Sequence, residues 1–216
     1  MPLEDYWKKR NFKVTPEPAG RRKPRKSVKA PIFVVQKHQA THLHYDFRLE
    51  IDGVLVSWAV PKGPSLNPSD KRLAVRTEDH PLEYADFEGV IPKGQYGAGA
   101  VMLWDTGTYD TDGSAAEQLK RGELKFTLHG QKLKGGFVLI RTGRGSVAVR
   151  APWLLIKRRD KHAVRSWNID RYDWSVLTGR SLQEIKTGVP AQQPPQRRGV
   201  PRFLLQTSEW DHSASD

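Results

Sequence analysis

The fold is decided by the stretch at residues 45–60, which has the sequence YDFRLEIDGVLVSWAV. Two runs of strand length, residues 45–51 and 54–60, flank the dipeptide Asp52-Gly53. Asp-Gly between two such runs suits a type I′ turn, because both central positions of that turn need a positive φ. The stretch therefore predicts an antiparallel β-hairpin.

Short apolar or alternating runs continue on both sides of this hairpin. Clusters of Gly, Pro, Asn and Asp separate them at fairly regular spacing, which favours an antiparallel barrel or sandwich over a parallel sheet with crossover helices. We therefore expect a mainly β fold, an antiparallel barrel or sandwich, with one or two short flanking helices. The further runs lie at residues 32–35, 73–75, 101–104, 137–140 and 153–156.

Outside the strands, the sequence predicts a few helical turns and two polar chain ends. A helix is expected at residues 114–121, where Ser114 and Glu117 have the spacing of a capping box, and a second short helix is expected near Asp160 or Asp170. Residues 1–30 are predicted to form a basic, partly extended arm, residues 31–177 the barrel domain, and residues 178–216 a flexible polar tail. The cations of the arm are Lys8, Lys9, Arg10, Lys13, Arg21, Arg22, Lys23, Arg25 and Lys26.

The composition restricts the chemistry that the chain can perform. Its 216 residues include no cysteine, so thiolate nucleophiles and iron–sulfur clusters are excluded, and any metal must be held by histidine and carboxylate. The net charge of +12 indicates a polyanionic partner such as nucleic acid, although positive charge can also serve solubility alone. Because no apolar stretch is long enough for a membrane span and the first residues are charged, we expect a soluble, intracellular protein with no membrane partner.

Residues with metal-binding chemistry concentrate at positions 36–50, where three of the seven histidines occur. Successive side chains of a strand alternate between two faces, and neighbours on one face are about 6.6 Å apart. The imidazole of His44 and the carboxylate of Asp46 can therefore converge on one ion. The polar side chains that share this face are His44, Asp46, Arg48 and Glu50.

A second alternating run leaves the third metal ligand open. If its polar face borders the same cavity, either His38 or His80 joins His44 and Asp46 to give two imidazoles and one carboxylate. The cavity would then hold anion-binding charge from Arg48, Arg72 and Arg76. The alternative is that both strands present ordinary solvated faces. The polar face of the second run carries Arg72, Arg76, Glu78 and His80, and the opposite face carries Leu73, Val75 and Thr77.

The stretch EGVIPKGQYGAG at residues 88–99 is rich in glycine. A glycine-rich loop can direct backbone N–H groups at a phosphate. This one lacks the Gly-Lys-Ser/Thr ending of a Walker loop, so we interpret it as a tight connection between strands.

Several ordered blocks of the chain, taken together, resemble the 3′-phosphoesterase domain of bacterial DNA ligase D. The resemblance runs from about residue 10 to residue 179 and rests on many motifs in the same order, which makes it far more specific than one short motif. The blocks are FVVQKH at residues 33–38, LHYDFRLE at 43–50, SWAVPKGPS at 57–65, EDHPLEYADFEG at 78–89, and residues 92–99.

The resemblance implies a compact antiparallel β-barrel that uses Mn²⁺, or another divalent cation, held by His38, His44 and Asp46. It also implies that Arg48, His80 and Tyr84 contact the phosphate, and a protonated His80 is one candidate for the donor of a proton to the leaving group. The chain departs from the family at Asn11, because an amide cannot act as the anion that a carboxylate is. The supporting polar residues implied by the resemblance are Arg10, Glu17, Gln36, Lys62, Arg72 and Glu78.

The activity implied by the resemblance is the healing of nucleic-acid 3′ ends during DNA end joining and repair. Two linked reactions are expected: release of the nucleoside from a 3′-terminal ribonucleotide, and removal of the remaining 3′-phosphate. The substrates are DNA 3′ ends, including a primer-template with a 3′ ribonucleotide or a 3′ phosphate. The partners implied are Ku and a separate DNA ligase, because the chain has no Lys-x-Asp-Gly nucleotidyl-transfer motif. The expected location is cytoplasmic and nucleoid-associated, with the chain either free-standing or part of a larger ligase.

Two alternative functions remain from the residues alone. A DNA-end-binding module without catalysis would explain the basic arm and would show no turnover with any metal. A non-haem iron oxygenase would explain His-x-Asp with a further histidine, the facial-triad arrangement, but it leaves the arginines without a role.

Overall fold

The computed structural model describes residues 3–20, 30–143 and 152–191, and within these ranges it contains nine β-strands. The seven short runs quoted above each lie inside one of these strands, whereas the alternating run at residues 72–80 is a strand only as far as Arg76. The strands are β1 (Ile32–Gln39), β2 (Leu43–Ile51), β3 (Val54–Val60), β4 (Lys71–Arg76), β5 (Gly89–Ile91), β6 (Gly99–Thr111), β7 (Glu123–Gly130), β8 (Lys134–Arg141) and β9 (Pro152–Lys157).

Eight of these strands close into an antiparallel barrel. The strand order is β1-β2-β3-β4-β9-β8-β7-β6, and β6 pairs back onto β1, while β5 adds a short pairing to the start of β6. Closure leaves these eight strands without an open edge. The predicted mainly β fold, a compact antiparallel barrel with short helices, is confirmed.

The predicted hairpin is formed by β2 and β3. Tyr45 lies opposite Val60 and Ile51 lies opposite Val54, so the two strands are in register over their full shared length. Asp52 has a φ of 51° and Gly53 a φ of 79°, which are the two positive values that a type I′ turn requires. The short-range turn chemistry therefore sets the register of the hairpin that carries much of the site.

The barrel interior is filled by large apolar side chains. Alternation along the strands directs one residue in two inward, and the inward residues pack as one buried cluster. Large apolar side chains occupy the interior, and the polar residues predicted for the site lie elsewhere, as described below. Members of this cluster that are fully buried include Phe33, Phe47, Trp58, Trp104, Phe137 and Leu139.

A second apolar cluster lies on the outer face of the sheet, with strand members from β1, β3, β5 and β6. Val34 and Leu55 point outward from the barrel and are nevertheless fully buried, because Tyr6 and Tyr84 pack over them. Tyr6 belongs to helix α1 (Glu4–Lys8), and Tyr84 belongs to a 3₁₀ helix (Leu82–Asp86). This outer layer makes the otherwise exposed face of the sheet a buried environment, which matters for the polar residues described below.

The remaining helices are short. Helix α2 (Ala115–Arg121) confirms the helix predicted at residues 114–121, and the Ser114 side chain accepts a hydrogen bond from the backbone N–H of Glu117. A 3₁₀ helix (Ile169–Tyr172) lies at the Asp170 position of the second helix prediction, whereas Asp160 lies in a turn. Among the described residues, none of the helices has the length and apolar character that crossing a membrane requires.

The chain ends are more ordered than the sequence predicted, as far as the structure describes them. Tyr6 is fully buried and its hydroxyl donates to the Pro18 carbonyl at 2.6 Å. Helix α3 (Leu182–Thr187) stands where a flexible tail was expected, because Ser181 and Glu184 form a capping box and Leu182 and Ile185 are buried against the barrel. The predicted arm cations at positions 21–26 and the tail from residue 192 lie outside the described residues. The division at residues 30 and 177 stays a prediction.

Candidate metal centre

The candidate metal centre lies on the outer face of β1 and β2. His38 lies opposite His44 in the antiparallel ladder, and directly opposite residues share a face of the sheet. Asp46 follows His44 by two positions and therefore points to the same side. One ligand atom from each of His38, His44 and Asp46 lies within 4.8 Å of the others. Of the two histidines that the sequence left open, it is His38 that lies in this cluster, whereas His80 is not part of it.

Backbone carbonyls orient both imidazole rings. Nε2 of His38 donates to the carbonyl of Gly97 at 2.8 Å, and Nδ1 of His44 donates to the carbonyl of His42 at 2.9 Å. Because a carbonyl can only accept, these contacts assign the proton to those nitrogens and leave a lone pair on the other nitrogen of each ring. The remaining nitrogens lie 3.4 Å and 3.7 Å from Oδ2 of Asp46. Such outer contacts are typical of metal-binding histidines.

The charges of the centre hold Asp46 ionised. Burial works to raise the pKa of the Asp46 carboxyl, but Arg48 and, when they carry a second proton, the imidazoles of His38 and His44 outweigh it, so the pKa lies well below its ordinary value. Burial lowers the pKa of His44, but its interaction with Asp46 outweighs burial and raises the pKa on balance. Without a cation, protons therefore compete for the position that an ion would take.

Arg48 forms the floor of the site. Its Nε donates to Oε1 of Gln36 at 2.9 Å, its Nη1 donates to Oγ of Ser57 at 2.8 Å, and its Nη2 lies 3.3 Å from Oδ2 of Asp46. Only 2 % of the residue is exposed, whereas the His44 side chain at the outer edge of the site is 22 % exposed. An anion that approaches from solvent therefore meets His44 before it reaches the guanidinium.

His80 lies between two guanidinium groups. Its Nδ1 is 2.9 Å from Nη1 of Arg48 and 3.0 Å from the carbonyl of Glu78, and its Nε2 is 3.2 Å from Nη2 of Arg10. Burial, then Arg48, then Arg10 lower the pKa of His80 well below its ordinary value. The histidine is therefore neutral at neutral pH, which argues against a protonated His80 as the proton donor. A guanidinium can only donate, so a neutral His80 accepts from one of the two arginines at a time. If Nδ1–H donates to the Glu78 carbonyl, Nε2 accepts from Arg10; if Nδ1 accepts from Arg48, the proton lies on Nε2.

Arg10 connects the amino-terminal segment to the site. Its Nε donates to Glu17 at 2.8 Å and its Nη1 lies 3.3 Å from Glu78, which Lys9 also contacts at 3.0 Å. Asn11, where the chain departs from the family, is exposed, and its side-chain oxygen accepts from the backbone N–H of Lys13 at 3.2 Å. Arg10 is thus anchored by two carboxylates that do not include position 11.

Tyr84 and Gln36 help to hold Arg10 and Arg48 in place. The Tyr84 hydroxyl donates to Glu17 at 3.0 Å, and the Arg48 guanidinium lies 5.0 Å from the centre of its ring. Burial, followed by the charge of Glu17, raises the pKa of Tyr84 well above its ordinary value, so the phenol keeps its proton. The Gln36 amide donates to the carbonyls of Tyr84 and Phe87 and thereby ties the 3₁₀ helix to β1.

Arg72 and Arg76 do not join the site. Arg76 lies opposite the inward-facing Trp58, and Arg72 lies opposite the inward-facing Leu155, so both are on the face of the sheet opposite to Arg48. The predicted apolar face of this run was wrong, because Leu73 is 47 % exposed while Ala74 belongs to the core. Arg72 pairs with Asp70 at 2.7 Å and Arg76 pairs with Asp79. Lys62 is exposed just beyond the end of β3.

Sequence reasoning missed three contributors to the site. Ser57 receives a hydrogen bond from Arg48, and the signal for it was available, since it is the one polar residue in the apolar run of β3. Tyr6 packs edge-on against His80, and Lys9 pairs with Glu78; neither is marked by a local pattern. Their positions depend on the folding of the amino-terminal segment over the barrel.

The glycine-rich stretch serves as the tight connection that the sequence indicated, and it also positions a ligand. Gly97 supplies the carbonyl that orients His38. Gly99 has a φ of 144°, and a Cβ placed there would lie 1.9 Å from the backbone oxygen of Gln39. Only glycine permits this close approach of the loop to β1.

Comparison with known proteins bears on this site. A family model described as the DNA ligase D 3′-phosphoesterase domain matches residues 36–141, the range that includes all three candidate ligands and Arg48 and His80. The multifunctional non-homologous end joining protein LigD of Pseudomonas aeruginosa is 49 % identical over 219 residues, covering 97 % of this chain and 25 % of the relative.

Relatives from mycobacteria give the same result. The multifunctional non-homologous end joining DNA repair protein LigD of Mycobacterium tuberculosis is 52 % identical over 140 residues, 65 % of this chain and 18 % of the relative. LigD of Mycolicibacterium smegmatis is 44 % identical over 169 residues, 76 % of this chain and 21 % of the relative. The chain spans a quarter or less of the length of these relatives. It belongs to the DNA ligase D 3′-phosphoesterase domain family.

Proposed function

We propose that this chain is a metal-dependent phosphoesterase that heals the 3′ ends of nucleic acid. The observation that supports the proposal is the contact between two kinds of group: a histidine–histidine–aspartate cluster suited to a cation, and the buried guanidinium of Arg48 at 3.3 Å from Asp46. Cation ligands beside an arginine are the combination that phosphoryl transfer requires.

The donor set fits a divalent cation. His38 and His44 each direct a lone pair into the cluster and Asp46 is ionised, which gives two neutral nitrogens and one anionic oxygen. A cation bound there would supply Lewis-acid polarisation of a phosphoryl oxygen. Mn²⁺ is our proposed ion because the family resemblance implies it.

The charge balance of the described site also favours a cation requirement. Lys9, Arg10 and Arg48 are matched in their contacts by Glu78, Glu17 and Asp46. The protein groups alone therefore approach neutrality, and a terminal phosphate brings about two further negative charges near pH 7. A divalent cation restores the balance.

The protein groups take distinct roles in this proposal. Arg48 binds a non-bridging phosphoryl oxygen through Nη2, the nitrogen nearest Asp46. His80 is neutral and lies between the two guanidinium groups, within 3.2 Å of each, so we assign it to positioning Arg48 and Arg10. Tyr84 donates to Glu17 and holds Arg10 indirectly. The attacking water and the proton for the leaving group then come from the solvent side, at His44.

The relatives are named for non-homologous end joining. By analogy we propose DNA 3′ ends as substrates, with the two linked reactions expected above, in the cytoplasm, with Ku and a ligase activity as functional partners.

The test uses a primer-template with one 3′-terminal ribonucleotide and separates the products on a sequencing gel. We expect a 3′-phosphate product and then a 3′-OH product with Mn²⁺, and neither with chelator. Asp46→Asn should reduce the rate about 100-fold or more, because the ligand charge is lost. The matched control is Glu123→Gln, which removes an exposed carboxylate paired with Lys125 at the other end of the barrel and should leave the rate unchanged. Binding of the primer-template without turnover in any divalent metal would instead support a non-catalytic end-binding module.

A further inference from the structure

A basic groove lies at the rim of the barrel, away from the metal centre. The turn between β7 and β8 forms one wall, and the segment that follows β9 forms the other. Four cationic side chains line this groove and all of them are exposed: Lys134, Arg158, Arg159 and Lys161.

The single acidic residue lining this groove does not neutralise those cations. Asp160 accepts hydrogen bonds from Nζ of Lys157 at 2.6 Å, from the N–H of Gly136 at 2.7 Å and from the N–H of His162 at 2.8 Å. The Lys157 side chain is fully buried beneath the groove, and its ammonium group neutralises the Asp160 carboxylate. The outward cations keep their charge for a ligand.

The same contacts fix the shape of the groove. Gly135 has a φ of 84°, and a Cβ there would lie 2.5 Å from a carboxylate oxygen of Asp160. A Cβ on Gly136 would press on the side chain of Arg158 at 3.1 Å. Two consecutive glycines therefore let the segment after β9 lie directly on the turn, and the cations project from a built surface.

We propose that this groove binds the phosphate backbone of the nucleic acid whose 3′ end lies at the metal centre. The inference rests on the proposed function, since that function supplies the polyanion. Neutralising phosphates with Lys and Arg releases counterions and is the main source of sequence-independent affinity. A surface of several uncompensated cations and a fixed shape suits a duplex backbone.

The strand register gives the distance between the two sites. From Asp46 the path crosses β3, β4 and β9, three strand steps of about 4.8 Å, and continues about six residues along the strands to the row of Arg158. The distance across the strands and the distance along them combine to about 25 Å over the barrel surface. At about 3.4 Å per nucleotide, the groove would meet phosphates about seven nucleotides from the end.

The test measures binding of the full chain to fluorescent hairpin duplexes across a salt series. The duplexes have about 5 and about 16 base pairs, one shorter and one longer than the span between the two sites, and each carries a 3′ phosphate. The triple variant Lys134→Gln/Arg159→Gln/Lys161→Gln removes three exposed cations of the groove. The matched control, Lys120→Gln/Arg121→Gln/Lys125→Gln, removes three exposed cations from α2 and β7 at the opposite end of the barrel.

Salt dependence is the readout that distinguishes the groove from a general effect on the fold. For the long duplex, we expect the groove variant to lower the slope of log K against log salt by about 2.7, which is about 0.9 for each of the three phosphates that it no longer neutralises. The short duplex with the groove variant, and both duplexes with the control variant, should keep the wild-type slopes.

The outcomes separate this inference from the proposed function. An unchanged slope for the groove variant on the long duplex, or an equal loss in the control variant, overturns the groove. If wild type binds the long duplex through the groove but hydrolyses neither duplex with Mn²⁺, the groove stands and the proposed function fails. If wild type hydrolyses both duplexes while the groove variant binds as wild type does, the function stands and the groove fails.

Discussion

Replacing Asp46 with asparagine tests the electrostatic basis of the site. Asp46 lies 3.3 Å from the buried guanidinium of Arg48, whereas the side-chain oxygens of Gln36 and Ser57, which accept hydrogen bonds from the same guanidinium, are neutral. The asparagine side chain keeps the shape of the aspartate but carries no charge. The substitution therefore leaves a buried cation without its carboxylate.

The expected loss of stability follows from the geometry. Two unit charges 3.3 Å apart attract by about 5 kcal/mol at an effective dielectric constant of about 20, before desolvation is counted. Removing one partner of a buried pair typically costs about 3–5 kcal/mol. The Asp46 side chain is 10 % exposed, so some water can compensate Arg48 and we take the lower end. We expect the free energy of unfolding without metal to fall by about 3 kcal/mol.

The assay is urea denaturation near neutral pH, with chelator and then with Mn²⁺. Wild type should gain about 2.7 kcal/mol at a Mn²⁺ concentration about 100 times its dissociation constant, because the ion binds only the folded state. Asp46→Asn should gain almost nothing over the same range. An undiminished Mn²⁺ increment in the variant would refute the ligand assignment, and an unchanged stability in chelator would refute the charge pair with Arg48.

Three further predictions concern stability. The pKa of His80 is lowered in the folded state, so its contribution to the free energy of unfolding is complete above about pH 6.5 and is lost as the pH falls below that value. Wild type should therefore lose about 1 kcal/mol of stability between about pH 7 and about pH 5.5. His80→Asn should not show this loss when urea denaturation is measured at both pH values. Parallel pH profiles for the two proteins would contradict this. Ser181→Ala removes the capping box of α3 and should lower the free energy of unfolding by about 1 kcal/mol. An unchanged urea midpoint would show that this cap does not contribute to the stability of the fold. Gly94→Ala and Gly99→Ala both place a side chain at a positive φ, which costs about 1–2 kcal/mol in each. Only the Cβ at position 99 would meet a backbone oxygen, at 1.9 Å. Gly99→Ala should therefore lower the melting temperature more than Gly94→Ala. Equal melting temperatures for the two glycine variants would show that the loop can move away from β1.

Short-range rules predicted the hairpin and the pairing of His44 with Asp46, whereas the third ligand, His38, came only from the family resemblance. Alternation places His44 and Asp46 on one face, and the Asp52-Gly53 turn fixes the register of β2 against β3. The same alternation, applied to residues 72–80, failed at β4. There the inward residue is the small Ala74, and Leu73 is exposed, so residue size and burial did not coincide. A period of two predicts that two faces exist, but only the neighbouring strands decide which face is inside.

The outer layer could not be predicted, because it depends on contacts between residues far apart in the chain. Arg10 contacts Glu78 and His80, 68 and 70 residues later, and no local pattern encodes such a pairing. The residue pattern alone showed a basic stretch at this end, most simply a solvated arm, and only the family resemblance singled out Arg10 and Glu17. The structure instead uses the first part of it to bury the site.

That use follows from the closed barrel itself. A barrel of eight strands with a filled interior offers catalysis only its rim or its outer face, and an outer face is normally wet. In water, Arg48 and Asp46 would attract each other weakly and would be held loosely. The segment at residues 3–20 and the 3₁₀ helix at Leu82–Asp86 cover that face, and Arg48 consequently becomes 2 % exposed with every guanidinium nitrogen in contact. The amino-terminal segment is therefore part of the site, and a boundary drawn at residue 30 would separate the barrel from Arg10 and Glu17, two of the groups that set its electrostatics.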